Sequence, residues 1–170
     1  LLEKITNILD DKNCDETALF FETTKKLHEL KPTAESAKKM GRMLLAEENY
    51  DEAIKYLKES AELFEDEVEK ADAYKILANI YSMKEQFVTA RDYAYKSLEL
   101  IPKDGKLYIM IGDMYASSAD QCGSNDLTSK VAYWAAVDKY QKAKQIDNTV
   151  ADEANNRINT YKQYFPRKET

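Results

Sequence analysis

The chain has 170 residues, 44% hydrophobic and 33% charged, with only 4 Gly and 3 Pro. So few turn residues exclude β sandwiches, barrels, collagen-like and low-complexity chains, and 12 Tyr, 5 Phe and one Trp supply the buriable surface that disordered chains lack. Against 31 Asp and Glu there are 25 Lys and Arg, a net charge of −6, so no basic excess recommends nucleic acid as a partner. An all-α fold is expected. The longest apolar run, Val131 to Val137, is far short of the ~20 residues that cross a membrane. No signal-like stretch and no initiating Met open the chain, so a mature or excised form is expected.

In chain order, Leu2, Ile5 and Leu9 mark one face of a first helix over 1–10, and Leu27-His28-Glu29-Leu30-Lys31-Pro32 closes a second. A pattern then begins that repeats. Ala37-x-x-Met40-Gly41-x-x-Leu44, followed by Tyr50, Ala53, Leu57 and Ser60, predicts an antiparallel helix pair. It returns as Tyr74-x-x-Leu77-Ala78-x-x-Tyr81 with Phe87, Ala90, Ala94, Ser97 and Pro102, and again as Tyr108-x-x-Ile111-Gly112-x-x-Tyr115 with Ala136, Tyr140 and Ala143. The small residues at 41, 78 and 112 let the first helix of each pair approach the second, and the large ones beside them fill the flanks. Glycine inside a helix costs about 1 kcal/mol relative to Ala, so Gly41 and Gly112 need such a packing reason. Gly105 reads as an ordinary turn residue, and Pro32 and Pro102 as helix stops.

The third pair is interrupted. Tyr115 to Ala136 spans 21 positions where Leu44 to Ala53 and Tyr81 to Ala90 span 9. The extra stretch, around 117–128, has loop composition, with Thr128 or Ser129 expected to cap the long helix that follows. Two readings stay open: a plain surface loop between lengthened helices, or a partner-binding edge that includes Cys122 and Trp134. A last helix carries Ala154, Ile158 and Tyr161, and Pro166 stops it.

This register resembles the tetratricopeptide repeat family, whose unit is 34 residues long. The resemblance implies a right-handed α-solenoid of about four helix pairs in one domain: a degenerate unit at 1–33, full units at 34–70 and 71–104, an interrupted unit at 105–149 and a capping helix at 150–165. Together with the long insertion, Tyr161-Lys162-Gln163-Tyr164-Phe165-Pro166 and Lys168-Glu169 look like tetratricopeptide proteins of Bacteroidetes-type bacteria, a group generally of unassigned function and commonly exported. In the resembled family a concave wall is lined by positions three before and one after the small residue. Here those are Lys38 and Arg42, Lys75 and Asn79, Ile109 and Asp113, then Asn155 and Asn159 on the final helix. Lys75 and Asn79 also match the first pair of a family variant that grips a terminal carboxylate, but Met110, Asp152 and Asn156 break the rest of that set.

Residues able to carry catalysis are few. The four glycines stand apart, so no phosphate loop forms. One histidine excludes most metal and triad geometries, which need a base plus companions, and His28 is expected to face solvent. Cys14 and Cys122 lack activating neighbours and read as free thiols. Glu59, Glu62, Glu65, Asp66, Glu67 and Glu69 read as a solvated charge run. No enzyme activity, cofactor or metal is expected. The expected function is to bind an unidentified protein or peptide in the concave groove; the alternatives are a scaffold that self-associates through exposed ends (Leu2, Ile5, Leu9) and a regulatory domain of a larger complex.

Overall fold

The computed structural model describes residues 1–12, 14, 17–121 and 126–165. Cys122, Gly123 and Pro166, to which the sequence assigns places, lie outside them. Every described element is helical, as the composition requires. The chain divides into two compact units, Leu1–Ile80 and Tyr81–Thr170. The first holds α1 (Leu2–Asp11), α2 (Ala18–Leu30), α3 (Ala34–Ala46), α4 (Tyr50–Leu63) and all but the last residues of α5 (Glu67–Met83). The second holds α6 (Phe87–Leu100), α7 (Gly105–Ser117), α8 (Asp126–Ile146) and α9 (Ala151–Tyr161), with short 3-10 turns at Ala119–Gln121, Asn148–Val150 and Lys162–Tyr164.

Helix starts are set by side chains that accept otherwise unpaired amides. Thr17 caps α2 through the Phe20 amide, and Asp104 caps α7 through the Leu107 amide. Thr33 and Ser36 form a reciprocal capping box at α3. Pro32 and Pro102 each follow a helix that ends two residues earlier, at Leu30 and Leu100. The start of α8 differs from expectation: it begins at Asp126, so Thr128 and Ser129 lie inside the helix rather than at its cap.

In the first unit α3 packs against α4, and in the second α7 packs against α8. A Cβ added at Gly41 would fall 2.5 Å from Leu57 Cγ and 3.3 Å from the Ala53 carbonyl oxygen. One added at Gly112 would meet the Tyr140 ring. Both glycines therefore serve close helix contact. Gly105 is no ordinary turn residue, for it opens α7 and a Cβ there would fall 2.6 Å from Asp147 Cβ and 2.9 Å from Val150 Cγ2. The second unit's core gathers Ile109, Ala136, Val137, Tyr140, Ala143, Val150 and Ala154, with Tyr133, Ile158 and Tyr161 packed against it.

The turns after α3 and α5 share one geometry. Glu48 and Glu85 hold left-handed backbones at φ 58° and 57°. Beyond them the Asn49 amide donates to the Leu44 carbonyl and the Gln86 amide to the Tyr81 carbonyl, at 2.8 and 2.9 Å. These are helix C-terminal motifs in which glycine is the usual occupant.

Among the described side chains of α1, Thr6 is buried, while Leu2, Ile5 and Leu9, on the face that the sequence marks, are half-buried. One expectation changes in the first unit. His28 does not face solvent. It is buried, with Nδ1 2.8 Å from Ser36 Oγ on α3, Nε2 3.5 Å from Glu59 Oε1 on α4 and its ring edge-on to Tyr56 at 5.3 Å. Its partners lie on two other helices, so local spacing around His28 gave no sign of them.

Candidate functional site

Along α3 and its C-cap Glu47, the residues Glu35, Lys38, Lys39, Arg42, Met43, Ala46 and Glu47 recur at steps of three and one, the spacing that aligns side chains on one helix face. They floor a groove of about 920 Å³ in the first unit. Thr17, Ala18, Phe20 and Phe21, at the start of α2, form one wall; Phe64 and Glu69, where α4 passes into α5, form the other.

The groove's cations are not equivalent. Lys38 keeps only 13% of its side chain exposed and sits between two carboxylates, Glu69 Oε2 at 2.7 Å and Asp72 Oδ2 at 2.5 Å. Its ammonium also lies 5.8 Å from the centre of the Phe64 ring. That is a clamp between α3 and α5. Lys39 reaches over Phe20 at 5.7 Å. Arg42 keeps 60% of its side chain in solvent and approaches Asp72 only to 3.5 Å. An exposed pair at that distance contributes little, so the Arg42 guanidinium can turn to another carboxylate at small cost. The groove thus combines aromatic walls, a flexible thioether at Met43 and an adaptable bidentate donor.

The other residues singled out from the sequence fall elsewhere. Lys75 is half-buried and Asn79 exposed on α5, and neither lines this groove. Asp113, on α7, is engaged: Tyr140 donates to its Oδ1 at 2.7 Å, and Arg157 of α9 donates from Nε at 2.7 Å and Nη2 at 3.0 Å. Burial, together with the hydrogen bond to Asp113, pushes the Tyr140 phenol far above its ordinary value, and the same carboxylate raises Arg157. Asn155 accepts from Lys144, and Asn159 from Lys162, both at 2.9 Å on the exposed surface.

Ile109 is not a wall residue but part of the second unit's core. The register explains this. Three residues before the small position the side chain reaches past its own pair, as Lys38 meets α5 and Ile109 packs in the cluster with Val150 and Ala154. One residue after it, Arg42 and Asp113 also reach an oppositely charged group on the next helix but one, α5 and α9 respectively, with the signs reversed between them.

Trp134 lies on α8, and its indole N–H donates to the Tyr164 carbonyl at 2.9 Å. Its companion from the insertion, Cys122, is outside the described residues. Cys14 carries a free, half-buried thiol. Among the described residues no group of His, Cys, Asp or Glu converges as metal ligands would, and no helix is long and apolar enough to cross a membrane. Phe20, Phe21, Lys39, Met43 and Phe64 were missed as groove residues. Lys39 and Met43 share the helical face of Lys38 and Arg42, a signal that was available; the phenylalanines come from neighbouring helices and left none.

Residues 32–103 match the tetratricopeptide repeat family model. This stretch carries tetratricopeptide repeats. No curated protein matches the chain in sequence. Among solved structures, a crystal structure of MamA is similar at a TM-score of 0.66 and 19% identity, covering 94% of each chain. A second MamA crystal structure gives 0.60 and 20% identity over 96% of this chain and 89% of that one. MamA from Desulfovibrio magneticus RS-1 gives 0.59 and 14% identity over 98% and 96%. At such identities the likeness concerns the fold, which is that of tetratricopeptide-like solenoids.

Proposed function

We propose that this chain is a non-catalytic protein-interaction module and that the groove along α3 takes an extended segment of a partner protein. Tetratricopeptide repeats support the general reading; the groove's composition supports the finer one. In this reading a partner's acidic side chain or terminal carboxylate meets Arg42, and an apolar side chain lies between Phe21 and Met43. Lys75 and Asn79, on α5 outside the groove, meet the same segment where it runs on past Arg42.

The carrying observation is Arg42, a guanidinium more than half in solvent at the floor of an aromatic-walled groove. The test replaces Arg42, Lys75 and Asn79 together by Ala. Partner capture is expected to disappear while helical content, read by circular dichroism, stays unchanged. Undiminished capture by the triple variant would remove the groove from consideration.

A second reading is favoured by α1, where Ile8 is 59% exposed beside half-buried Leu2, Ile5 and Leu9. Such a face suits association between copies. Sedimentation at rising concentration separates the two readings: a strictly monomeric protein rules self-association out.

A further inference from the structure

Three helices of the second unit bring two cations and two phenols together. Arg91 and Tyr95 stand one helical turn apart on α6, Tyr115 lies near the end of α7, and Lys139 belongs to α8. The Arg91 guanidinium lies over the Tyr115 ring, 4.4 Å from its centre, and the Lys139 ammonium over the Tyr95 ring at 5.6 Å. Burial and a hydrogen bond with Tyr95 raise the Tyr115 phenol, while the charges of Arg91 and Lys139 oppose that rise, so both cations act on one hydroxyl. All four residues are half-buried, which leaves the cluster reachable from the surface.

Elsewhere the chain pairs its shielded cations: Lys38 with Glu69 and Asp72, Arg157 with Asp113. Here it does not. Among the described residues no carboxylate pairs with Arg91 or Lys139; Asp92 and Asp138 adjoin them in sequence but are exposed and reach neither. Nη1 of Arg91 is buried and has no hydrogen-bond partner. A guanidinium nitrogen is costly to leave so, and an acceptor entering from outside removes the cost.

The donors set the chemistry of that acceptor. Guanidinium and ammonium groups donate and never accept, and of two phenolic O–H groups one remains after their mutual hydrogen bond. Two positive charges and three donor side chains thus call for a group with acceptors only, two negative charges and three oxygens. A phosphoryl group has about −1.5 to −2 charge at pH 7 and three acceptor oxygens; a carboxylate has one charge and two oxygens. We infer that Arg91, Lys139 and the linked hydroxyls of Tyr95 and Tyr115 form a binding site for a phosphoryl group. The Tyr115 ring supports one face of the guanidinium and leaves its N–H edge for the oxygens. The site lies in the second unit and does not depend on the groove of α3.

Calorimetric titration of the full chain in phosphate-free buffer tests it. The probes are inorganic phosphate and the phosphoserine tripeptide Gly-pSer-Gly, with acetate as a singly charged comparator. Saturable binding of phosphate is expected, weakened about tenfold by Arg91→Gln and about tenfold by Lys139→Gln at unchanged helical content. Lys55→Gln on α4 should leave it unchanged. Lys139→Gln keeps the test open should Arg91→Gln not fold. Acetate is expected to bind about tenfold more weakly than phosphate. Tighter binding of the tripeptide than of phosphate supports a phosphoryl group carried on a protein segment, and equal binding supports free phosphate; both uphold the site. No saturable binding of either probe would overturn the proposal. So would phosphate binding that Arg91→Gln and Lys139→Gln leave intact, or acetate binding as tightly as phosphate, which would make the cluster a carboxylate site.

Discussion

Single residues carry much of what distinguishes this chain from a generic helical repeat. Glu48 and Glu85 occupy left-handed positions where a side chain costs about 1–2 kcal/mol, a cost that glycine's extra chain entropy only partly matches. Glu48→Gly and Glu85→Gly are therefore each expected to stabilise the fold by about 0.5–1 kcal/mol, read from denaturant midpoints at unchanged slope. Tyr140 makes a different prediction. Its phenol is raised above the ordinary 10.0 in the folded chain, so above that pH the unfolded chain releases a proton that the folded chain keeps. Stability is then full below about pH 10 and falls as pH rises beyond it. Tyr140→Phe should flatten that alkaline fall in melting temperature, and an unchanged alkaline slope would contradict the assignment. Spacing made Gly41 and Gly112 readable as contact points, because each lies within a repeated pattern. Gly105 and His28 were not readable, because what confines them is Asp147 and Val150 in one case and Ser36 and Glu59 in the other, none of which the pattern brings near.

At the scale of elements, the helix pairs were legible and their closing pieces were not. The register located α3 with α4 and α7 with α8 from small residues alone. It also put Ile109 on an open wall, because a rule based on one helix face does not know that α9 returns across it. The Asp113–Arg157 pair shows how α9 is fixed. Its side chains are 41% and 33% exposed, so water screens the pair, and its bidentate geometry stabilises by about 1 kcal/mol. Arg157→Ala should therefore speed hydrogen exchange in α9 while α3 and α4 keep their protection; equal change in both units would mean that the pair does not act locally. Gly112→Ala is expected to be costlier, about 1–3 kcal/mol, because the buried Tyr140 ring must move to admit the methyl group.

For the whole molecule, composition already required helices, and the repeat pattern required a tetratricopeptide-like arrangement, which the match at residues 32–103 and the MamA structures bear out. The candidate site was legible only in part. Lys38 and Arg42 were found, but their unequal standing depends on Asp72 and Glu69, which lie on α5, two helices further along the chain. A groove walled by Phe20, Phe21 and Phe64 depends on three helices at once. If this groove receives a partner protein, a photo-crosslinking residue at Met43 on its floor reports the contact, with the exposed Lys55 of α4 as the control position. An adduct with a partner is expected from position 43, lost when Arg42→Glu is added, and none from position 55. No adduct from position 43, or equal adducts from both positions, would contradict that reading.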